Sequence, residues 1–256
     1  MLLLTRFLVF LLPILTIVLL EILYFYHASA SVVIVLGIIL FLLIVLTIRL
    51  LNHKKYNSDL VYFTLTYYLF VLCGILFITL LEAQPLIHIA IVVVAVICGL
   101  LLESIFRLSF LSAYFSRDLV ISLINNINAL TLYCFVSFLY ALNLLFNIDL
   151  AWLTVALLVA TSIFANTIFS FLNIQILRRC IYILCVAIIN IELFWALSFL
   201  PIIFYINSFI IVLVYYIFVS LIVLREKTLL TQLVVRKYII FAILSLLIVL
   251  GTAKWI

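Results

Sequence analysis

Apolar residues do not alternate along this chain; they run on. Nine stretches of mostly Leu, Ile, Val and Phe occupy about 7–27, 31–50, 60–82, 85–105, 119–146, 150–177, 180–199, 202–224 and 238–254. Each is close to the ~20 residues that an α-helix needs to cross a hydrocarbon layer. Transmembrane strands would instead alternate over about 10 residues. The pattern therefore predicts an all-α, polytopic transmembrane bundle of nine spanning helices. The longest connectors, near 51–59, 104–118 and 225–237, are too short to bury a core of their own. The chain thus reads as a single transmembrane domain over 1–256.

Charge orients the bundle. Arg6 precedes the first span, and Arg49, Lys54 and Lys55 lie between the second and third. Arg107 and Arg117, then Arg178 and Arg179, then Arg225, Lys227, Arg236 and Lys237 occupy every second connector after that. Only Lys254 falls on the other side. The opposite connectors, "HASAS", "LEAQP", "FNIDL" and "FLPII", carry no Lys or Arg and include Glu82 and Asp149. Short basic loops stay on the cytoplasmic side, so the N-terminus is predicted to be cytoplasmic. A wrong span count would scatter the cations over both faces.

Composition agrees with the pattern. The chain is 71% hydrophobic and 8% charged, against roughly 45–50% and about 25% in soluble domains. A water-facing protein cannot absorb that excess, and the expected setting is the plasma (inner) membrane. The net charge of +5 does not point to nucleic acid, because the cations are spread over loops instead of gathered on one groove. The five cysteines, Cys73, Cys98, Cys134, Cys180 and Cys185, all sit in apolar runs and are expected to be reduced. The first span has a basic start and ends near Ala28-Ser29-Ala30, as a signal peptide would. Its apolar region exceeds the ~7–15 residues of such peptides, so it is expected to be an uncleaved anchor, with Pro13 a possible kink point.

Span four closes on "LLLESIFRLSFLSAYFSRD", residues 100–118. Glu103 and Arg107 stand i,i+4, the favourable order for a helical ion pair, and are expected to pair on the cytoplasmic side. Beyond them Ser109, Ser112 and Ser116 share one narrow side. Residues 104–117 are expected to form an interfacial helix; the rival reading is an extension of a neighbouring span.

Ionisable groups at membrane depth are functional candidates. Glu21 and Glu192 lie inside the first and seventh spans, with His27, His88, Asn190 and Asn207 near the same outer boundary. Folding spans one and two about residue 29 places Glu21 level with Gly37. One reading is an outward-opening polar pocket lined by Glu21, His27, His88, Asn190, Glu192 and Asn207; the other is separate groups that never meet. A second polar set lies deeper. Span five carries Ser122, Asn125 and Asn128, and span six carries Ser162, Asn166, Ser170 and Asn173 on one face. Folding these spans about residue 148 puts Asn128 level with Ile168. Hydrogen bonds between the helices are the expected role; a hydrophilic path for solute is the rival.

The segment "GLLLESIFRLSFLSAYFSRDLVISLINNINAL" resembles a family of multi-pass membrane proteins of unknown function from small-genome candidate-phylum bacteria. Its members carry a Leu-rich stretch followed by Glu-Asn-Ile-Phe-Asn and an Arg-containing linker. Leu100 to Leu102, Glu103, Ile105 and Phe106 match, while Ser104 and Arg107 depart from the two asparagines. The likeness covers about a tenth of the chain. It implies a domain of unknown function and draws attention to Glu103.

With four glycines in all, the chain cannot form a G-x-G-x-x-G or P-loop cradle. It has no G-x-S-x-G elbow, H-E-x-x-H or paired metal-ligand spacing. No catalytic residue, cofactor or metal is therefore expected. The scarce Gly and Pro also weigh against the broken helices of alternating-access carriers. The leading expectation is a non-enzymatic membrane subunit or scaffold, in contact with membrane lipid and other membrane subunits. A small-solute or lipid permease using the outer pocket is the alternative, and an intramembrane enzyme a distant third. Reporter fusions at residues 56 and 148 are predicted to report opposite compartments. The same compartment for both would break the span count and the orientation together.

Overall fold

The computed structural model describes residues 2–25, 58–110, 117–172, 174–200 and 202–252, together with residues 35, 38, 42, 45 and 49. Eight helices and no β-strand occur among the described residues. They are α1 (Leu2–Phe25), α2 (Ser58–Ile78), α3 (Gln84–Phe110), α4 (Arg117–Phe146), α5 (Leu150–Phe171), α6 (Ile176–Ser198), α7 (Phe204–Glu226) and α8 (Gln232–Thr252). Seven of them, α2 to α8, are long and apolar enough to cross a membrane. The predicted span 31–50 falls outside the described residues apart from Val35, Ile38, Leu42, Val45 and Arg49, which are helical.

Contacts gather into two compact units, Met1–Ile127 and Asn128–Ile256, and the division falls within α4. In the first unit α3 packs against both α1 and α2. Small residues set how closely. A Cβ added to Gly99 would come 3.3 Å from Pro13 Cγ, and one added to Gly74 would come 3.0 Å from Val94 Cγ2. These close approaches replace the hydrophobic effect, which has no purchase between helices already in lipid. Phe63, Tyr67 and Phe70 from α2 and Ile91, Leu101 and Leu102 from α3 are fully buried. Pro13 does not break α1, which is continuous through it. The Thr16 hydroxyl donates to the Pro13 carbonyl at 2.6 Å, so the hydroxyl is satisfied within the same helix. Pro85 sits in the first turn of α3, where its missing N–H has no intrahelical partner to lose.

α3 corrects one expectation. It is unbroken from Gln84 to Phe110, so no separate interfacial helix begins at 104. Over 104–110 the chain continues the same helix; residues 111–116 lie outside the described residues. The Arg107–Glu103 bond, the Ser104 hydroxyl on the Leu100 carbonyl at 2.7 Å, and the Phe106 and Phe110 rings 4.9 Å apart all join residues four apart along this turn.

In the second unit α6 packs against α5 and α7, and α8 against α7. Asp149 caps α5 by accepting from the Ala151 N–H at 3.2 Å. Just before it, Asn147 adopts φ 51°, a left-handed value that Asn tolerates better than most residues. α7 ends with Leu229 N–H on the Leu224 carbonyl and Thr228 N–H on the Arg225 carbonyl, the paired bonds of a Schellman stop. Thr228 takes the left-handed position, at φ 58°. α8 starts at Gln232, ahead of the apolar run that begins at 238, so Arg236 and Lys237 lie on its first turns. Cys73, Cys98 and Cys134 are buried and Cys180 and Cys185 exposed, all of them free thiols.

Candidate functional site

The antiparallel register of α1 and α3 follows from Pro13 lying beside Gly99. It places two sets of charged side chains at opposite ends of the pair. At one end Glu21 Oε1 and His88 Nδ1 are 2.8 Å apart. The side chains retain 27% and 43% of their exposure, so the pair is reachable from one side. The Tyr24 ring meets the His88 imidazole edge-on, with centroids 5.8 Å apart. The second carboxylate oxygen, Glu21 Oε2, is buried and has no hydrogen-bond partner among the described residues. A carboxylate held against an imidazole can keep one proton between the two groups or carry an ion pair. Removing His88 leaves Glu21 without a hydrogen-bond partner among the described residues, in a medium that punishes unpaired charge.

At the other end Arg107 Nε donates to Glu103 Oε1 at 2.8 Å. Glu103 Oε2 is buried without a hydrogen-bond partner among the described residues.

The remaining residues of the expected outer pocket have different surroundings. His27 lies outside the described residues. Asn190 and Asn207 belong to the second unit and are buried. Both turn their amides to backbone: Asn190 Nδ2 donates to the Val186 carbonyl at 2.7 Å, and Asn207 Nδ2 to the Leu197 carbonyl at 3.1 Å. The second bond adds to the one from Leu200 N–H on a carbonyl in the last turn of α6, where regular intrahelical donors run out. Glu192 is on an exposed face of α6.

The deeper polar set forms one link between helices. Asn128 Nδ2 donates to Thr167 Oγ1 at 2.8 Å and to the Phe164 carbonyl at 3.2 Å. The Thr167 hydroxyl in turn donates to the same carbonyl at 2.7 Å. Asn128 therefore lies one residue from the level expected on α5, but its partner is Thr167, a residue the sequence reading passed over. The Ser170 hydroxyl donates to the Asn166 carbonyl at 2.6 Å and accepts from Arg179 Nη1 at 3.2 Å. Ser122 is exposed and Asn125 buried; Asn173 lies outside the described residues.

Three further polar contacts have no counterpart in the sequence reading. Tyr140 OH donates to the Phe194 carbonyl at 3.0 Å, with the two rings 4.5 Å apart. Tyr182 OH donates to Glu226 Oε1 at 2.8 Å, and Arg178 Nη1 lies 3.7 Å from Glu226 Oε2. Glu226 had a visible signal, since it is the only acid among the cations of the 225–237 connector. The tyrosines had none, because within an apolar run a tyrosine reads as one more aromatic packing residue. Among the described residues no three His, Cys, Asp or Glu side chains gather as a metal site.

No family model, curated protein or solved structure matches the chain.

The Asn128–Thr167 contact gives a direct test of polar packing. A double-mutant cycle with Asn128→Ala and Thr167→Val, read by reversible unfolding in bicelles, is predicted to show a coupling of about 0.6–2 kcal/mol. A coupling indistinguishable from zero would remove this contact from the forces holding α4 to α5.

Proposed function

We propose that this chain is a nine-span membrane subunit of the plasma (inner) membrane, with its N-terminus cytoplasmic. It acts through lateral helix contacts and performs no chemical step. The observation that carries this reading is the state of α8. None of its spanning window is buried inside the protein, whereas the other six spans are 28–50% buried. Ile239, Phe241, Ile243, Leu244 and Leu247 are all exposed. A helix that touches its protein along one side only, with no residue fully buried, adds little to its own protein's core. Such a helix is suited to packing against a neighbour, by the van der Waals contact that drives association in lipid.

A second reading, a small-solute permease, is favoured by the Glu21–His88 pair. Ionisable groups at membrane depth are rare and commonly mark a path.

One experiment separates the two. A photoreactive residue at position 244 is activated in native membranes, in the wild-type background and in Glu21→Gln. The subunit reading predicts one discrete protein adduct of fixed mass in both. Lipid adducts alone, with Glu21→Gln abolishing a pH-dependent uptake, would discard the subunit in favour of the permease.

A further inference from the structure

α1 and α3 enclose a second feature, distinct from the Glu21–His88 end. A groove of about 560 Å³ runs between them, open to one side. Arg6, Glu103 and Arg107 line it at one end, and Pro13, Ile17 and Gly99 line its apolar course. The charged residues gather because the register is antiparallel. With Pro13 beside Gly99, Arg6 falls level with Phe106, one residue from Arg107.

The proportions of the groove are those of an amphiphile. From Arg6 to Ile17 is eleven helical residues, about 16 Å at 1.5 Å per residue. One leaflet of a ~30 Å hydrocarbon core has the same depth. The charges stand only at the level where a headgroup would lie, and the walls beyond them are apolar. Phe10 and Ile14 on α1 and Val96 and Leu100 on α3 all remain exposed along it.

The charge at the mouth is specific as well. Arg6 is exposed and makes no ion pair among the described residues. Arg107 spends its Nε on Glu103, which fixes the guanidinium and leaves both terminal nitrogens to donate. Two guanidinium groups against one carboxylate leave one net positive charge. Guanidinium donors suit phosphate oxygens in a way that a lone ammonium does not.

We propose that this groove binds one anionic glycerophospholipid. Its phosphate lies between Arg6 and Arg107, and one acyl chain follows the apolar course past Pro13 to Ile17. Glu103 positions Arg107 and, by cancelling one of the two cations, matches the mouth to a headgroup of single negative charge. Basic clefts between transmembrane helices recognise anionic lipids by the same chemistry.

The test uses the full-length chain, gently solubilised and mixed with equal amounts of phosphatidylglycerol and phosphatidylcholine of identical acyl chains. Native mass spectrometry then counts what stays bound. The expected result is one phosphatidylglycerol per chain, in preference to phosphatidylcholine. Arg6→Gln raises the phosphatidylglycerol dissociation constant, read from a lipid titration, roughly fivefold, the worth of one cation near an anionic lipid. Arg236→Gln, an exposed cation on α8, leaves it unchanged. Ile14→Trp, which fills the exposed wall without touching the charges, also expels the lipid. Equal retention of the two lipids, equal losses from Arg6→Gln and Arg236→Gln, or full occupancy in Ile14→Trp would each overturn the proposal. So would a mass of two chains without lipid, the sign of a second copy in the groove.

Discussion

Hydrocarbon offers a backbone nothing to bond with, and every structural choice in this chain answers that constraint. It explains the helices, and it also explains where the hydroxyls go. Thr16, Ser104, Thr154, Thr161, Thr167, Ser170, Ser198 and Ser208 all donate to a carbonyl three or four residues back in their own helix. In water such back-bonding competes with solvent and gains little. In lipid it lets a polar residue sit anywhere on a helix at small cost. Asn190 follows the same rule with its amide. Polarity in these spans is thus mostly self-contained.

The exceptions are contacts that cross between helices, and in the second unit they hold its helices to one another. Asn128 reaches Thr167 and the Phe164 carbonyl; Tyr140 reaches the Phe194 carbonyl; Tyr182 and Arg178 converge on Glu226. Each is modest, about 0.6–2 kcal/mol for a membrane hydrogen bond. Their value lies in direction, since lipid and Leu attract a helix face equally and cannot set its register. In the first unit the register comes from shape, through Gly99 against Pro13 and Gly74 against Val94. The two ends of the α1–α3 pair then follow without further design: a carboxylate–imidazole pair at one, a cationic mouth at the other. Function is proposed at both because the same packing creates both.

Apolar length made the helices legible, and seven spans of the described residues need no more than that. Boundaries were legible only where polar residues mark a turn. Asp149 announces the start of α5, whereas the stretch 172–175 between α5 and α6 has no Gly or Pro, and its two polar residues, Asn173 and Gln175, are flanked on both sides by apolar ones. Hydropathy averaged over a span-length window cannot register so short a polar interruption. The same blindness let the helix of span four be cut at Glu103, although no helix breaker follows before Phe110. Among site residues, Glu21 and His88 were grouped by their common depth, as members of one candidate outer pocket. Their direct contact was not legible, because it depends on α1 packing against α3, elements far apart along the chain. Thr167 was invisible for another reason: a threonine bonded to its own helix looks structural until a neighbour uses the same oxygen.

All of this assumes that lipid, not water, covers the faces left open, and α8 is where that assumption stands alone. No residue of its spanning window is fully buried by protein, so strong protection of the amides on its open side has to come from the bilayer. Amide hydrogen exchange of the full chain in lipid nanodiscs measures this directly. Residues 238–251 should exchange as slowly as those of α5, which the protein itself covers in part. Exchange of α8 within seconds, while α5 stays protected, would show a helix standing in water and would contradict the account.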